Sequence, residues 1–213
     1  MICIKAVQTK TSHPHGMSAA LSHPAIRIIL DEHAALSAVL RSVLLMTDRG
    51  PGDSPERFFD VMRAMLFYID EFPERLHHPK ESDLLFPRLA RAAPELMPVI
   101  ARLEADHIGG EGRIRELQHL LLAWELLGET RRPEFADAAQ GYVSFYLEHM
   151  RIEETPLLPV AKTVLSESDW MFLDNAFERG RDPLAGGSYD PCYDRLFTHI
   201  LTRAPAPIGV GAG

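Results

Sequence analysis

Four long segments of this chain carry apolar residues at the spacing of one helical face, and short breaks rich in proline and glycine separate them. The first begins near residue 22, the second covers about 55–91, the third covers about 94–127, and the fourth begins at Pro133. No strand-like alternation of any length interrupts them. Because long helices with short connections pack as antiparallel neighbours, the pattern predicts an all-α protein, an up-down-up-down four-helix bundle with a short C-terminal helical extension.

The same segments divide the chain into four parts. Residues 1–21 show no clear periodicity, and we expect them to form a flexible N-terminal arm. The bundle covers 22–165. A C-terminal helical extension covers 166–203 and opens with the capping-box pattern at 166–169. Residues 204–213 are expected to form a tail.

Composition narrows the class of protein further. The chain is 46% hydrophobic, which is enough for a sizeable core, and its net charge of −8 without a basic block argues against a nucleic-acid partner. It contains no apolar run of about 18 residues and no signal-peptide pattern at its start. The two cysteines lie near opposite ends and make no disulfide framework. We therefore expect a cytoplasmic protein with no membrane or nucleic-acid partner; the oligomeric state stays open.

Each of the four segments places one histidine on its apolar stripe, and two segments add a glutamate four residues later. These six residues are His33, His77, Glu81, His107, His149 and Glu153. On a helix, residues four apart lie one above the other, so an imidazole and a carboxylate can meet on one cation. Burying six polar groups in the middle of a bundle is costly without a partner. The sequence therefore predicts a metal site built from these residues.

The number and type of these side chains indicate two metal ions. Four imidazoles and two carboxylates exceed the four ligands of a tetrahedral zinc site. They suit two ions that each take two or three histidines and are bridged by the carboxylates and by an oxo or hydroxo group. Mixed imidazole and carboxylate ligands favour iron or manganese over calcium or magnesium, and no thiolate is present to favour copper(I).

At these motifs the chain resembles the hemerythrin-like (HHE cation-binding) proteins. The resemblance extends over about residues 24–182 and rests on the segments 31–33, 77–87, 104–107 and 148–159. It implies a four-helix bundle with a non-haem di-iron centre, and therefore two iron ions as the cofactor. Members of this family carry or sense oxygen, store or sense iron, handle nitric oxide and peroxide, or help to repair iron–sulfur clusters.

The chain departs from parts of that family. Oxygen-carrying members have a second histidine on the third helix, one turn from the first. Here the positions one turn from His107 are Leu103 and Glu111, so Glu111 is a candidate seventh ligand and the site looks less like a reversible oxygen carrier. The repair proteins have a similar set of four histidines and two glutamates, but they usually carry a separate N-terminal domain with cysteines. This chain has only Cys3 there.

Several neighbours of the second histidine are further candidates. His78 is a fallback for His77, although it lies three residues before Glu81 rather than a full helical turn. Asp70 and Glu74 precede His77 on its own face, and either could orient an imidazole N–H.

Residues of the fourth segment add two expectations. Tyr142 and Tyr146 lie one to two turns before His149; they are expected to be core residues, with a redox or metal-linked role as the alternative. Glu154 follows the predicted ligand Glu153 directly and is expected to point away from the site.

Two glycines interrupt the third segment two and three residues after its histidine. Gly109 and Gly110 follow within the helix, where each costs about 1 kcal/mol relative to alanine. Such a cost indicates the close approach of a neighbouring helix or of a ligand.

These observations favour a non-haem di-iron protein that handles or senses O2, NO, peroxide or iron, and they leave open whether it is an enzyme. One alternative is a structural or regulatory bundle in which metal mainly stabilises the fold. Another is a ferritin-like di-iron carboxylate protein, which uses Glu-x-x-His pairs. The segments 74–77 and 104–107 have that spacing, but this alternative leaves His33 and His149 unused.

Overall fold

The computed structural model describes residues 23–188, 190–206 and 208–211. All regular structure within these ranges is helical, which confirms the prediction of an all-α protein. The expected N-terminal arm at 1–21 lies outside the described residues, as does part of the expected tail at 204–213.

Long helices and short helical turns alternate along the described part of the chain. The α-helices are α1 (Pro24–Arg49), α2 (Pro55–Ile69), α3 (His78–Lys80), α4 (Phe86–Ala92), α5 (Met97–Leu127), α6 (Arg132–Ile152), α7 (Leu158–Val164), α8 (Glu167–Glu178) and α9 (Asp194–Arg203). Short 3₁₀ turns lie at Pro94–Leu96, Glu129–Arg131, Pro183–Ala185 and Pro191–Tyr193. Helix α1 packs against α2 and α6, and α5 packs against the same two helices. Each of these four helices therefore has two of the others as neighbours.

Three π-helical stretches join the shorter helices into longer continuous ones. Asp70–His77 connects α2 to α3, Glu81–Leu85 connects α3 to α4, and Glu153–Leu157 connects α6 to α7. Pro73 lies inside the first stretch and Pro156 inside the third. Because a proline lacks the N–H donor and clashes with the carbonyl four residues earlier, the wider turn lets the helix continue past it. Such turns are frequent at functional sites, and each one here begins or ends at a predicted metal ligand.

The apolar core divides into two clusters along the bundle. Along α1, residues up to Ile29 belong to one cluster, and residues from Leu36 onward belong to the other. Along α5, the change falls between Leu103 and Ile114. Predicted metal ligands occupy the interval on both helices, so the polar cluster has apolar packing on either side.

The C-terminal helices pack onto the bundle. Helix α8 lies against α1, and α9 lies against α2. The capping box expected at the start of α8 is present, since Ser166 and Asp169 each accept from the other's backbone N–H. Within the described ranges, every helix is too short or too polar to span a bilayer.

Candidate metal centre

The six predicted ligands meet in one buried cluster, and none of them is more than 8% exposed. Their nitrogen and oxygen atoms form two overlapping groups, within each of which the atoms lie within 4.8 Å of one another. The first group is His33, His77 and Glu81; the second is Glu81, His107, His149 and Glu153. The cluster thus has two halves, and Glu81 belongs to both groups.

In the first half, two imidazoles and two carboxylate oxygens face one another. The Nε2 atoms of His33 and His77 lie 3.3 Å apart. Glu81 Oε1 lies 3.3 Å from His77 Nε2, and Glu153 Oε2 lies 3.2 Å from His33 Nε2. Helices from three different parts of the chain therefore converge on this point.

The second half repeats this arrangement with the other oxygen of each glutamate. The Nε2 atoms of His107 and His149 lie 3.1 Å apart. Glu153 Oε1 lies 3.4 Å from His149 Nε2, and Glu81 Oε2 lies 3.6 Å from His107 Nε2. Each glutamate therefore directs one oxygen to each half, as a carboxylate that bridges two cations does.

The hydrogen bonding of these carboxylates fits a bound cation. Glu81 Oε2 and both oxygens of Glu153 are buried and accept no hydrogen bond, although imidazole nitrogens lie nearby. Buried polar atoms without a partner are rare in folded proteins because they lose the stabilisation that water gave them. A cation in each half would satisfy all three oxygens.

The Nδ1 atom of each predicted histidine ligand lies near an outer polar group, and three of the four make a hydrogen bond to it. These Nδ1 contacts are His33 to Glu154 (3.0 Å), His77 to Glu32 (2.6 Å), His107 to Ser82 (2.9 Å) and His149 to Asp106 (3.5 Å). Because ionised carboxylates only accept, a carboxylate partner holds the proton on Nδ1 and leaves Nε2 free for a metal. All four rings therefore direct Nε2 toward the centre of the cluster.

Residues 25–161 match the model of the hemerythrin HHE cation-binding domain, which is more than half of the chain. The chain belongs to the hemerythrin HHE family. This confirms the resemblance drawn from the motifs, and the histidine and glutamate groups could hold metal as the name of the domain implies. No curated protein matches the chain.

The sequence pattern did not predict most of the residues that contact the outer Nδ1 atoms in this hemerythrin domain. Glu32 directly precedes His33 but contacts His77 of the neighbouring helix. Asp106 directly precedes His107 but contacts His149. In both cases the acidic residue lies next to one predicted ligand and contacts the histidine of an adjacent helix. An acidic residue directly before a predicted ligand was therefore the signal available in the sequence.

Two expectations about outer residues were wrong. Glu154 does not point away from the site; its Oε1 lies 3.0 Å from His33 Nδ1, with the side chain 41% exposed. It lies in the π turn that begins at Glu153, and this wider turn lets both glutamates reach the same imidazole. Asp70 orients no imidazole, since its ion-pair partner is Arg75 at 3.8 Å.

Glu111, the candidate seventh ligand, lies outside the cluster. Its side chain is 51% exposed and accepts a hydrogen bond from Arg115 at 2.9 Å. The buried position one turn after His107 is Gly110, and the hydroxyl of Tyr146 occupies the space beside it. The helix therefore directs residue 111 to solvent.

His78 lies inside the cluster together with His77 and does not replace it. It is 4% exposed, and its ring nitrogens come within 4.8 Å of those of His107 and His149. Its Nδ1 lies 3.1 Å from Glu74 Oε2, and its ring stacks on His107 with centroids 4.2 Å apart and planes at 11°. Both neighbours face inward because they meet at the junction of the π turn and α3.

Glu74 anchors this fifth histidine. Tyr142 donates to Glu74 Oε1 at 3.1 Å, and Tyr146 donates to the same oxygen. Burial raises the pKa of both tyrosines, so their hydroxyls stay protonated and act as donors. Since Glu74 serves His78, and Glu104 is exposed on α5, the Glu-x-x-His ligand set of the ferritin-like alternative is not assembled.

Burial lowers the pKa of every imidazole in the cluster. For three of them, neighbouring carboxylates raise the pKa by more than burial lowers it. Glu153 and Glu154 raise the pKa of His33 to about 9. The pKa values of His77 and His149 are also raised by neighbouring glutamates. The centre of the cluster therefore favours positive charge.

The stacked histidines behave differently. Burial, followed by the charges of other imidazoles, lowers the pKa of His78 well below its usual range and that of His107 to about 2. Both rings are therefore neutral. Neutral imidazole is the form that binds a metal, so His107 is ready to act as a ligand.

Proposed function

We propose that this hemerythrin domain binds two iron ions, one in each half of the cluster, within an up-down-up-down four-helix bundle. Glu81 and Glu153 would bridge the ions, and His33, His77, His107 and His149 would bind through Nε2. The observation that carries this proposal is the paired direction of the two carboxylates, because each sends one oxygen to each pair of imidazoles. Iron fits this mixture of nitrogen and oxygen donors.

The surroundings of the cluster support a small ligand. A cavity with room for about one water molecule borders both halves. Its lining includes His33, His77, His78, His149, Leu36, Pro73 and Met150. The apolar part of this lining limits water, while the size suits O2, NO or peroxide. When bound, the iron pair would supply the redox chemistry and the Lewis acidity that such molecules require.

We further propose that the protein handles or senses such molecules in the cytosol rather than carrying oxygen reversibly. The third helix offers only His107, because the next buried position is Gly110. His78 supplies a fifth imidazole from the second helical segment, but it lies face to face with His107. Its ring covers the face of His107 and its Nδ1 contacts Glu74, so we assign His78 to supporting His107.

The test of the two-iron proposal is the metal content and optical spectrum of protein purified from iron-supplemented cells. We expect about two irons per chain and near-ultraviolet absorption from ligand-to-iron(III) charge transfer. One zinc per chain would contradict the proposal. So would the absence of metal together with an unchanged melting temperature after addition of iron.

A metal-stabilised structural or regulatory bundle is the second candidate function. It is favoured by the position of the cluster, since predicted ligands on α1 and α5 lie between the two apolar clusters of the core. Binding to the folded state alone would raise the melting temperature. Multi-turnover loss of peroxide or NO by the iron-loaded protein would favour the first candidate. Iron loading that changes only the melting temperature would favour the second.

The two adjacent histidines of the second segment should respond differently to substitution. His77→Ala removes an Nε2 from the first half, and we expect iron content to fall to about one per chain or below. His78→Phe keeps a flat ring against His107, and we expect close to two irons bound with affinity about 10-fold weaker. Iron analysis after desalting, with competition by a chelator, measures both. Equal losses in the two variants would show that His78 is itself a ligand.

A further inference from the structure

The segment Gly180–Asp182 lies beyond the part of the chain that matches the hemerythrin family, yet it contacts the first half of the cluster. Lys80, which directly precedes Glu81, donates to the carbonyl oxygen of Gly180 at 2.9 Å. Arg181 donates to Asp31 at 2.7 Å. The backbone N–H of Asp182 donates to Glu32 Oε1 at 2.7 Å. Three successive residues therefore tie this segment to the two helical segments that supply His33 and His77.

Hydrogen bonds fix both the side chain and the carbonyl group of Asp182. It is 6% exposed, and its carboxylate accepts hydrogen bonds from the Tyr68 hydroxyl and from the Leu184 N–H, the latter at 2.8 Å. Its carbonyl oxygen accepts from the backbone N–H groups of Ala185 at 3.0 Å and Gly187 at 2.9 Å. The N–H of Asp182 points out of this turn and is directed at Glu32.

Glu32 connects this amide to the cluster. Its Oε1 accepts from Asp182, and its Oε2 lies 2.6 Å from His77 Nδ1. The side chain is 4% exposed, so these two donors replace the water that a carboxylate would otherwise bind. Losing either donor would free the carboxylate to rotate, and His77 would lose its fixed direction.

We propose that Asp182 is a positioning residue for the metal centre: its backbone N–H fixes Glu32, and Glu32 aims His77 Nε2 into the first half. This inference rests on the proposed two-iron function. It makes the C-terminal extension part of the centre rather than an addition to the bundle. Outer partners of this kind typically change metal affinity by about 10–100-fold when they are removed.

Asp182→Pro removes the N–H together with the carboxylate that Tyr68 and Leu184 contact. Proline requires a φ near −65°, and Asp182 has φ −58° and ψ 128°, which also suits the residue before Pro183. Asp182→Ala is the matched control, because it loses the same carboxylate and keeps the N–H that Glu32 accepts. Anaerobic titration with Fe(II) against a competing chelator gives the affinity of each of the two binding steps.

We expect Asp182→Pro to weaken one of the two steps by about 10–100-fold and to leave the other near the wild-type value. Asp182→Ala should weaken that step by less than about 10-fold, because it keeps the N–H. Wild-type affinities in Asp182→Pro would overturn the proposal, as would equal losses in the two variants or equal losses in both steps. Fewer than two irons in the wild-type protein would instead contradict the two-iron function, so the two failures can be told apart.

If Asp182→Pro does not fold, a second variant tests the positioning role of Asp182. Tyr68→Phe removes one hydrogen bond from the Asp182 carboxylate and leaves the ring in the core. We expect one binding step to weaken by about 3–10-fold, with the unfolding midpoint in chelator changed by only a few degrees. Two wild-type affinities in Tyr68→Phe would overturn the proposal.

Discussion

Glu153→Ala should remove both iron ions from the protein rather than one. The Glu153 carboxylate lies between the two halves, with Oε2 at 3.2 Å from His33 Nε2 and Oε1 at 3.4 Å from His149 Nε2. Both of its oxygens are buried and accept no hydrogen bond, so in the proposed centre each would bind one ion. Without this carboxylate, each half would lose a ligand, and the negative charge shared by the two ions would be halved.

The neighbouring glutamate supplies the matched control. Glu154 contacts only the outer nitrogen of His33, and its side chain is 41% exposed. We expect Glu154→Ala to retain about two irons, with one of them bound about 10-fold more weakly. Iron per chain after desalting should fall below about 0.2 in Glu153→Ala, and the near-ultraviolet absorption should disappear with it.

Partial loss would contradict this assignment. If Glu153→Ala kept one iron, Glu153 would serve a single half, and Glu81 alone would connect the two. Circular dichroism of both variants and of the wild-type protein in chelator separates loss of metal from loss of fold, because all three are then compared without iron.

The main elements of the cluster were predictable because they repeat at short spacing. A histidine on each apolar stripe and a glutamate four residues later define directions on one helix, and the helical period fixes those directions. The structure places all six residues together. The same rule failed at Glu111, because the face that meets the cluster one turn after His107 is filled by Gly110 and the Tyr146 hydroxyl. Which face of a helix meets its neighbour depends on packing, which spacing alone does not give.

The outer partners were not predictable from spacing, because they connect different helices. Glu32 reaches His77 across 45 residues, and Asp182 reaches Glu32 across 150. The π turns add a second reason. They change the direction of adjacent residues, so that His77 and His78 both face inward and Glu154 turns back toward His33. Prolines inside or beside these stretches were the available signal, but a proline by itself does not distinguish a wide turn from a bend.

The two glycines after His107 should give opposite results when each is replaced by alanine. A Cβ at residue 110 would overlap the Tyr146 hydroxyl and lie 2.8 Å from Glu74 Oε1. A Cβ at residue 109 would have no atom within 4 Å. The pair therefore separates the cost of close packing from the general benefit of alanine in a helix.

The expected magnitudes follow from these contacts. Gly109→Ala gains helix propensity without a clash and should stabilise the protein by about 0.5–1 kcal/mol. Gly110→Ala gains the same propensity but displaces the Tyr146 hydroxyl from Glu74, which should give a net destabilisation of about 1–3 kcal/mol. For a chain of this size, the melting temperature should rise by roughly 1–4 °C in the first variant and fall by roughly 2–12 °C in the second. Thermal unfolding followed by circular dichroism measures both.

The cause of the loss can be tested in the background of Gly110→Ala. Tyr146→Phe removes the hydroxyl that the new Cβ would overlap, and the next atom that this Cβ would meet is Glu74 Oε1 at 2.8 Å. Tyr146→Phe alone should destabilise the protein, because Glu74 loses a buried donor. The double variant should therefore be more stable than the sum of the two single changes by about 1 kcal/mol or more. Strict additivity would contradict the contact between Gly110 and Tyr146, and with it the explanation of why residue 110 is a glycine.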